Sequence, residues 1–367
     1  MANPAEVRTI CVIHGGVDDD SAINRIAKHV VLGALDRGWR VTVLAQQLDV
    51  SLRNDVEWLR LYVPPRLHAV QWTSARSAVR WALRGRSFDA VVGWQAQLIG
   101  LLDVYNCQYI SAAARDHDGF AGYGSVRSAA LRVQQELVCI LEANRFRRWD
   151  QRALMVYSSD LVKQEFESRF PTPHEQAVLE NFGPAPAPAS HDERRAARRS
   201  FGLMDDGPVF AYLGGFDERK GFRELVSQMW SWPEARLLLA GPDFGGRPAT
   251  LPSNVVVLGH VRDVRTVLAA ADALIVPSRF DPFAVVVLEA AATGTPVIVT
   301  AEVGAVDAVR RFDAGVVWDR RASLRVLHEQ LEADPERFRR GAIAMAADLQ
   351  VASFRARFLD LVERCVR

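Results

Sequence analysis

The chain has 367 residues, of which 49% are apolar and 24% charged, with a formal net charge of +1. That length suggests two or three ordinary domains whose cores need no metal or disulfide staple, and the balanced charge argues against nucleic acid and against an acidic partner. No apolar run reaches the roughly 18–20 residues of a transmembrane helix.

The opening MANPAEVRTICVIHGG lacks a basic head followed by a long apolar stretch, so a secretory signal is not expected. The four cysteines, Cys11, Cys107, Cys139 and Cys365, are scattered with no CxxC pair. A disulfide framework and structural zinc are therefore not expected, and the cytoplasm is the default compartment. Only Lys28, Lys163 and Lys220 among the 45 basic residues are lysine. In so arginine-rich a chain, a retained compact ammonium is informative.

Strand and helix patterns alternate along the chain. Residues 8–13 (RTICVI) read as a strand, and 21–37 as a helix capped by Ser21, with Ile23, Ile26, Ala27, Val30, Val31 and Ala34 on one face. Strands follow at 40–45, 89–94, 103–110 and 153–158. A Pro/Ala stretch and a basic RRAARRS run fill 181–200, which reads as an extended linker leading into a short solvated helix. Beyond it, strands at 208–215, 236–241, 254–259, 273–278, 296–300 and 314–318 alternate with helices near 220–231, 262–271, 284–293 and 303–311, and a helical tail begins near 335.

Continuous Val/Ile/Leu strands alternating with helices predict an α/β fold of two doubly wound parallel-sheet domains. The domains are expected at 1–183 and 184–345, with a C-terminal helix at 346–367. Ligands of such sheets bind outside the carboxyl ends of the strands, so a cleft between the two domains is the expected site.

Two segments carry the chemistry. In LGGFDERKGFREL (213–225) a strand ends in Gly214 and Gly215, and Arg219, Lys220 and Gly221 lead into a helix. Glycines allow close backbone approach, and two cations beside a helix start suit a diphosphate; the alternative is a tight turn with two solvated cations. In SRFDPFAVVVLEAAATGTPVIVT (278–300), Asp281 stands at a helix mouth and Glu289 two turns later in an otherwise apolar helix. A buried carboxylate there needs partners such as sugar or ribose hydroxyls.

The stretch 208–318 resembles the nucleotide-binding half of retaining GT-B glycosyltransferases of glycosyltransferase family 4. Its D-P-F-A-V-V-V-L-E-A-A-A-T-G-T-P-V follows the family's Glu-x7-Glu phrase, and the strand–GG–RKG loop and 259–278 match in order and spacing. The first half is similar to lipopolysaccharide-core glucosyltransferases at 88–106 and in the helix before 145–160. The resemblance implies a Rossmann-like GT-B fold and transfer, with retention, of a sugar from a nucleotide sugar, UDP-sugar foremost, to a glycan, lipid-linked or small-molecule hydroxyl. It also implies that no metal and no further cofactor is needed.

By the same resemblance, Gly215, Arg219 and Lys220 would hold the diphosphate, and Glu289 the ribose. Asp281 and the amides of Phe283 and Ala284 would meet the donor sugar, and His260 and Val261 the base. Closure about the 181–200 segment would exclude water, and the last helix would cross back to the N-terminal domain. The glycine loop of the first domain would be Gly15 and Gly16, followed by Asp18, Asp19 and Asp20. These acids read either as a solvated capping turn or as an acceptor site.

Three departures stand out. Asp281 replaces the family's first Glu and Ala284 its usual Gly, and Gln108 or Tyr109 stands where many members carry a His. A sugar-nucleotide epimerase and an inactive nucleotide-sugar-binding scaffold therefore remain as alternatives. Arginine clusters at Arg76, Arg80 and Arg84 (with Trp72 and Trp81) and at Arg145, Arg147, Arg148 and Arg152 (with Phe146 and Trp149) read as solvated faces or as a surface for a phosphorylated acceptor or for anionic lipid at the inner membrane face.

Overall fold

A computed structural model of the chain describes residues 8–62, 68–117, 126–148, 153–171, 173, 175–203, 207–216, 218–242 and 250–365. It divides into two compact units, Met1–Ala113 with Tyr123–Leu179 and Ala352–Arg367, and Ala114–Gly122 with Glu180–Val351.

The first unit contains strands β1 (Thr9–Ile13), β2 (Gly16–Val17), β3 (Arg40–Ala45), β4 (Gln47–Leu48), β5 (Glu57–Arg60), β6 (Ala90–Gly93), β7 (Val104–Cys107), β8 (Leu154–Tyr157) and β9 (Gln176–Val178). Its helices are α1 (Ala22–Asp36), α2 (His68–Ala82), α3 (Ser111–Asp116, which spans the division), α4 (Val126–Arg147) and α5 (Asp160–Glu167). The main sheet runs β5-β3-β1-β6-β7-β8-β9 with every pairing parallel. β1 lies inside the sheet, between β3 and β6, with Ile10 to Ile13 shut off from solvent. This is why its sequence is continuously apolar rather than alternating.

The second unit holds β10 (Val209–Leu213), β11 (Arg236–Ala240), β12 (Val255–Gly259), β13 (Ala273–Val276), β14 (Val297–Thr300) and β15 (Gly315–Trp318). Between and after them come α6 (His191–Ser200), α7 (Phe222–Trp230), α8 (Val264–Ala270), α9 (Val286–Ala292), α10 (Val306–Phe312), α11 (Leu324–Glu332) and α12 (Pro335–Asp348). The sheet order is β12-β11-β10-β13-β14-β15, again all parallel. In both units the order reverses once, beside the first strand, between β1 and β6 and between β10 and β13. Loops leaving the two strands at such a reversal diverge and open a crevice.

The final helix, α13 (Val351–Cys365), packs on the first unit. Arg37 of α1 donates to Glu363 at 2.9 Å and to Asp360 at 2.6 Å. Phe358 is fully buried and stacks on Trp94, with ring centroids 6.4 Å apart.

The segment 187–203 holds the short, mostly solvated helix that its composition suggests, but it is tied to the second unit more closely than a free linker. The Ala187 and Ala189 amides donate to the Ala292 and Thr293 carbonyls at 2.8 and 2.9 Å. Ser190 and Glu193 form a capping box that starts α6. Arg194 and Arg198 then pair with Asp272 and donate to the Ala271 and Ala270 carbonyls. Ala189, Ala197 and Leu203 join the apolar core of the second unit. One buried alanine and two arginines paired to Asp272 dock this otherwise solvated helix.

Candidate functional site

The two segments read from sequence meet at the sheet reversal of the second unit. β10 ends at Gly214 and Gly215, and a short 3-10 turn (Glu218–Lys220) leads through Gly221 into α7. Gly221 has φ +66°, and a Cβ there would lie 1.9 Å from the Pro277 carbonyl oxygen. Only glycine permits this approach, and it presses the Arg-Lys loop against the segment that follows β13.

Three contacts lock the loops together. The Arg279 amide donates to the Arg219 carbonyl at 2.7 Å. The Arg219 guanidinium donates to the Phe280 carbonyl at 2.9 Å. Lys220 Nζ donates to Asp281 Oδ2 at 2.5 Å.

Asp281 is buried, at 6% exposure. Its Oδ1 accepts from the Phe283 and Ala284 amides at 3.2 and 2.7 Å. Its backbone donates to Glu302 and accepts from Gly304, at 2.9 and 2.8 Å. Burial by itself raises this carboxyl. The charge and hydrogen bond of Lys220, the Arg219 charge and the Phe283 N–H outweigh burial and hold it below the usual carboxylate range. The carboxylate is thus ionised and committed on both oxygens to the protein, and the two amides expected to meet a donor sugar donate to it.

Ala284 has φ +60°. An L-residue pays on the order of 1 kcal/mol for this left-handed conformation, which explains why glycine is the natural occupant.

Glu289 lies on α9 and is half-buried, not enclosed as its apolar context suggests. His260 is exposed and Val261 half-buried in the turn between β12 and α8. Gly259, with φ +68°, sets that turn. All these residues follow the carboxyl ends of strands of one sheet, but the hydrogen-bonded group consists of Arg219, Lys220, Asp281, Phe283 and Ala284.

Arg320 was not singled out in the sequence. It follows β15 at φ +65° and donates to the Pro277 and Ser278 carbonyls at 3.2 and 2.9 Å, while pairing with Glu224 of α7. It pins the same segment that Arg219 pins. No local motif marks it, because its partners are backbone oxygens 42 and 43 positions away.

In the first unit, Gly15 and Gly16 follow β1. Gly16 starts β2, which pairs with β4. Asp18 accepts from the Asn24 side chain at 2.8 Å and the Asp20 amide at 2.9 Å. Asp19 and Asp49 both pair with Lys28, at 2.5 and 2.6 Å. The cap of α1 is Ser21. Of the arginine clusters, Arg76 is not solvated: it donates to the Gln97 and Ile99 carbonyls at 2.9 and 2.7 Å. Phe146 is core, packed on Tyr105, Phe166 and Phe170. Arg152 and Trp149, and the side chain of Trp72, lie outside the described residues. Among the described residues no helix is long and apolar enough to cross a membrane, and no cluster of three or more His, Cys, Asp or Glu could hold a metal.

Residues 207–331 match the family model described as glycosyl transferases group 1. That span holds every residue of the site in the second unit. An uncharacterized glycosyltransferase of Methanocaldococcus jannaschii is 30% identical over 178 residues, 44% of this chain and 45% of that protein. The chain thus spans about half the length of the curated relatives it matches. Among solved structures, WaaG, a glycosyltransferase involved in lipopolysaccharide biosynthesis, aligns over 96% of this chain and 99% of its own, with TM-score 0.69 and 19% identity. Anabaena HepE, solved in complex with UDP-glucose, aligns over 97% and 99%, with TM-score 0.68 and 15% identity. The fold is therefore GT-B, two parallel-sheet α/β domains.

Proposed function

We propose that the chain is a glycosyltransferase of family 4. It transfers a sugar from a nucleotide diphosphate sugar, UDP-sugar foremost, to a hydroxyl acceptor, with retention and without a metal. The observation that carries this reading is the coupling of Arg219 and Lys220 to Asp281 at the sheet reversal, inside the span that matches the family model.

The chemistry follows from that coupling. Two fixed cations beside glycine backbone would neutralise a diphosphate and stabilise the charge that grows on it as the glycosidic bond breaks. Fixed charges of this kind do the work otherwise given to a divalent ion. Glu289 would take the ribose hydroxyls, and His260 and Val261 the base. Asp281 orients Lys220 and the Phe283–Ala284 turn. A donor sugar would compete for those two amides, so Asp281 acts on the sugar only if it exchanges its own hydrogen bonds for sugar hydroxyls. The acceptor would sit in the first unit.

Isothermal titration of UDP-glucose in EDTA, followed by NMR of the anomeric proton of any product, tests this. Binding without metal and an α-linked product from the α-linked donor are expected. A strict metal requirement or an inverted product would overturn it.

The commitment of Asp281 to its own loop also favours a second reading, an inactive nucleotide-sugar-binding scaffold. That protein would bind UDP-glucose yet neither transfer nor hydrolyse it.

Part of the surface of the first unit suits an anionic bilayer. On α4, Val133, Leu137 and Ile140 are 69%, 40% and 55% exposed, and Arg147 and Arg148 follow them into solvent. Packed against α4, helix α2 bears Arg80, and Trp81 is 79% exposed. Peripheral attachment would bring the enzyme to a lipid-linked acceptor.

A further inference from the structure

The sheet reversal of the first unit also opens a cavity, of about 310 Å³. Three carboxyl-terminal loops build its wall: His14 after β1, Trp94 to Gln97 after β6, and Gln108, Tyr109 and Ser111 after β7. Glu142 of α4 completes it. The volume is at the lower end of small-molecule sites, roughly 300–1,000 Å³. It admits one ring, not a chain of them.

Among the described residues the lining is aromatic rings, side-chain amides, a few small apolar side chains, Ser111 and one carboxyl, without Lys or Arg. The guanidinium of Arg76 is turned to the Gln97 and Ile99 carbonyls. An anionic group seated here would lose its water without gaining a countercharge, and would face Glu142.

Two ring nitrogens in the wall lack a hydrogen-bond partner. They are His14 Nδ1 and Trp94 Nε1, both shut off from solvent. The Asn24 side chain donates through its nitrogen to Asp18, so its oxygen faces His14 Nε2 at 3.1 Å. His14 Nε2 therefore carries the proton, and Nδ1 presents a lone pair. Trp94 Nε1 can only donate. The two rings are neighbours, with centroids 5.6 Å apart. One acceptor and one donor side by side match a hydroxyl, which can serve both after a small side-chain adjustment of the kind common on binding. Buried polar atoms without partners are rare in folded proteins and call for an explanation.

We propose that this cavity is the acceptor subsite, and that it takes one uncharged polyhydroxylated ring, a sugar or cyclitol without a phosphate on the seated ring. Its hydroxyls meet His14, Trp94 and the amides of Gln95 and Gln97, and its C–H face packs on the aromatic rings. This rests on the glycosyltransferase reading for the word acceptor, but not for the binding itself.

The test is ligand-observed NMR titration at pH 8 without nucleotide. The probes are methyl α-glucoside, methyl α-mannoside, myo-inositol and glucose 6-phosphate, against wild type, Trp94→Phe, Gln97→Ala and, at an exposed position of α6, Arg199→Ala. Thermal melting checks that each variant folds. At least one neutral ring is expected to bind, at least tenfold more tightly than glucose 6-phosphate. Trp94→Phe and Gln97→Ala should each weaken it about five- to tenfold, and Arg199→Ala should not change it. Equal or tighter binding of the phosphorylated probe, no binding of any neutral ring, or folded cavity variants with unchanged affinity would overturn the proposal. UDP-glucose is titrated into the same samples. Ring binding without UDP-glucose binding would sink the glycosyltransferase reading alone, and the converse would sink the subsite alone.

Discussion

Replacing Glu142 with Gln should stabilise the protein above neutral pH and leave it unchanged in acid. Burial pushes the Glu142 carboxyl up to about 7 from 4.5, despite the hydrogen bond its Oε2 accepts from the Ser111 amide at 2.8 Å. Among the described residues no cation acts on it, and Tyr105, Tyr109, Cys107 and His14 are the titratable groups around it. A carboxyl with a raised folded value contributes fully below the unfolded value. Its contribution falls as pH climbs from 4.5 towards 7, because the unfolded chain ionises while the folded one resists. The difference corresponds to about 3 kcal/mol at pH 8. Gln keeps the acceptor for Ser111 and never ionises. Urea unfolding read by pulsed hydrogen exchange on peptides from β7 and α4 isolates the first unit. Comparing variant with wild type at pH 4, 6 and 8 removes the contribution of other groups. A difference near zero at pH 4 that grows to about 3 kcal/mol at pH 8 is expected. A difference independent of pH, or a variant less stable at pH 8, would refute the reasoning.

Burial holds His14 neutral, lowered to about 4 against the weaker pull of Asn24 and Asp18, so its contribution is present above pH 6.5 and is lost as pH falls towards 4. Urea titrations of His14→Gln should therefore show less loss between pH 6.5 and 4.5 than wild type. Gly221→Ala should cost at least 2–3 kcal/mol and abolish UDP-glucose binding, since it adds φ strain to a Cβ that meets the Pro277 oxygen; a folded variant with normal binding would show that the loop contact is dispensable. Lys220→Met should destabilise by about 1–3 kcal/mol because it strands the buried Asp281 carboxylate, and Lys220→Met with Asp281→Asn should recover most of that in denaturation without recovering nucleotide affinity. Recovery of both would make the pair purely structural.

The fold was legible because both sheets are buried on both faces. Continuous apolar strands such as VFAYL and VIVT cannot be satisfied at a half-exposed sheet, and the glycines that end them mark the turns. The main-sheet strands that sequence missed, β5 and β9, lie at the sheet edges, where half-exposed patterns such as EWLR and QAV carry little signal, and the two-residue β2 and β4 were too short to read. α6 is the short solvated helix expected, but the docking of its Arg194 and Arg198 was not legible, because Asp272 and the Ala270 and Ala271 carbonyls that bind them lie more than 70 positions away. In the site, the residue types and spacing around Arg219, Lys220 and Asp281 were readable. That Asp281 bonds its own loop was not, because side-chain direction at a helix mouth depends on Ala284 taking positive φ. The cavity at β1, β6 and β7 had no sequence signal at all, since its described lining comes from five segments between His14 and Glu142.

The most direct test is isothermal titration of UDP-glucose in EDTA into wild type and Lys220→Met/Asp281→Asn, with each protein's folded state verified by melting. The account predicts metal-free binding to wild type and at least tenfold weaker binding to the folded double variant. Equal affinity for the two proteins would contradict it, because the diphosphate would then be held somewhere other than the Arg219–Lys220 loop.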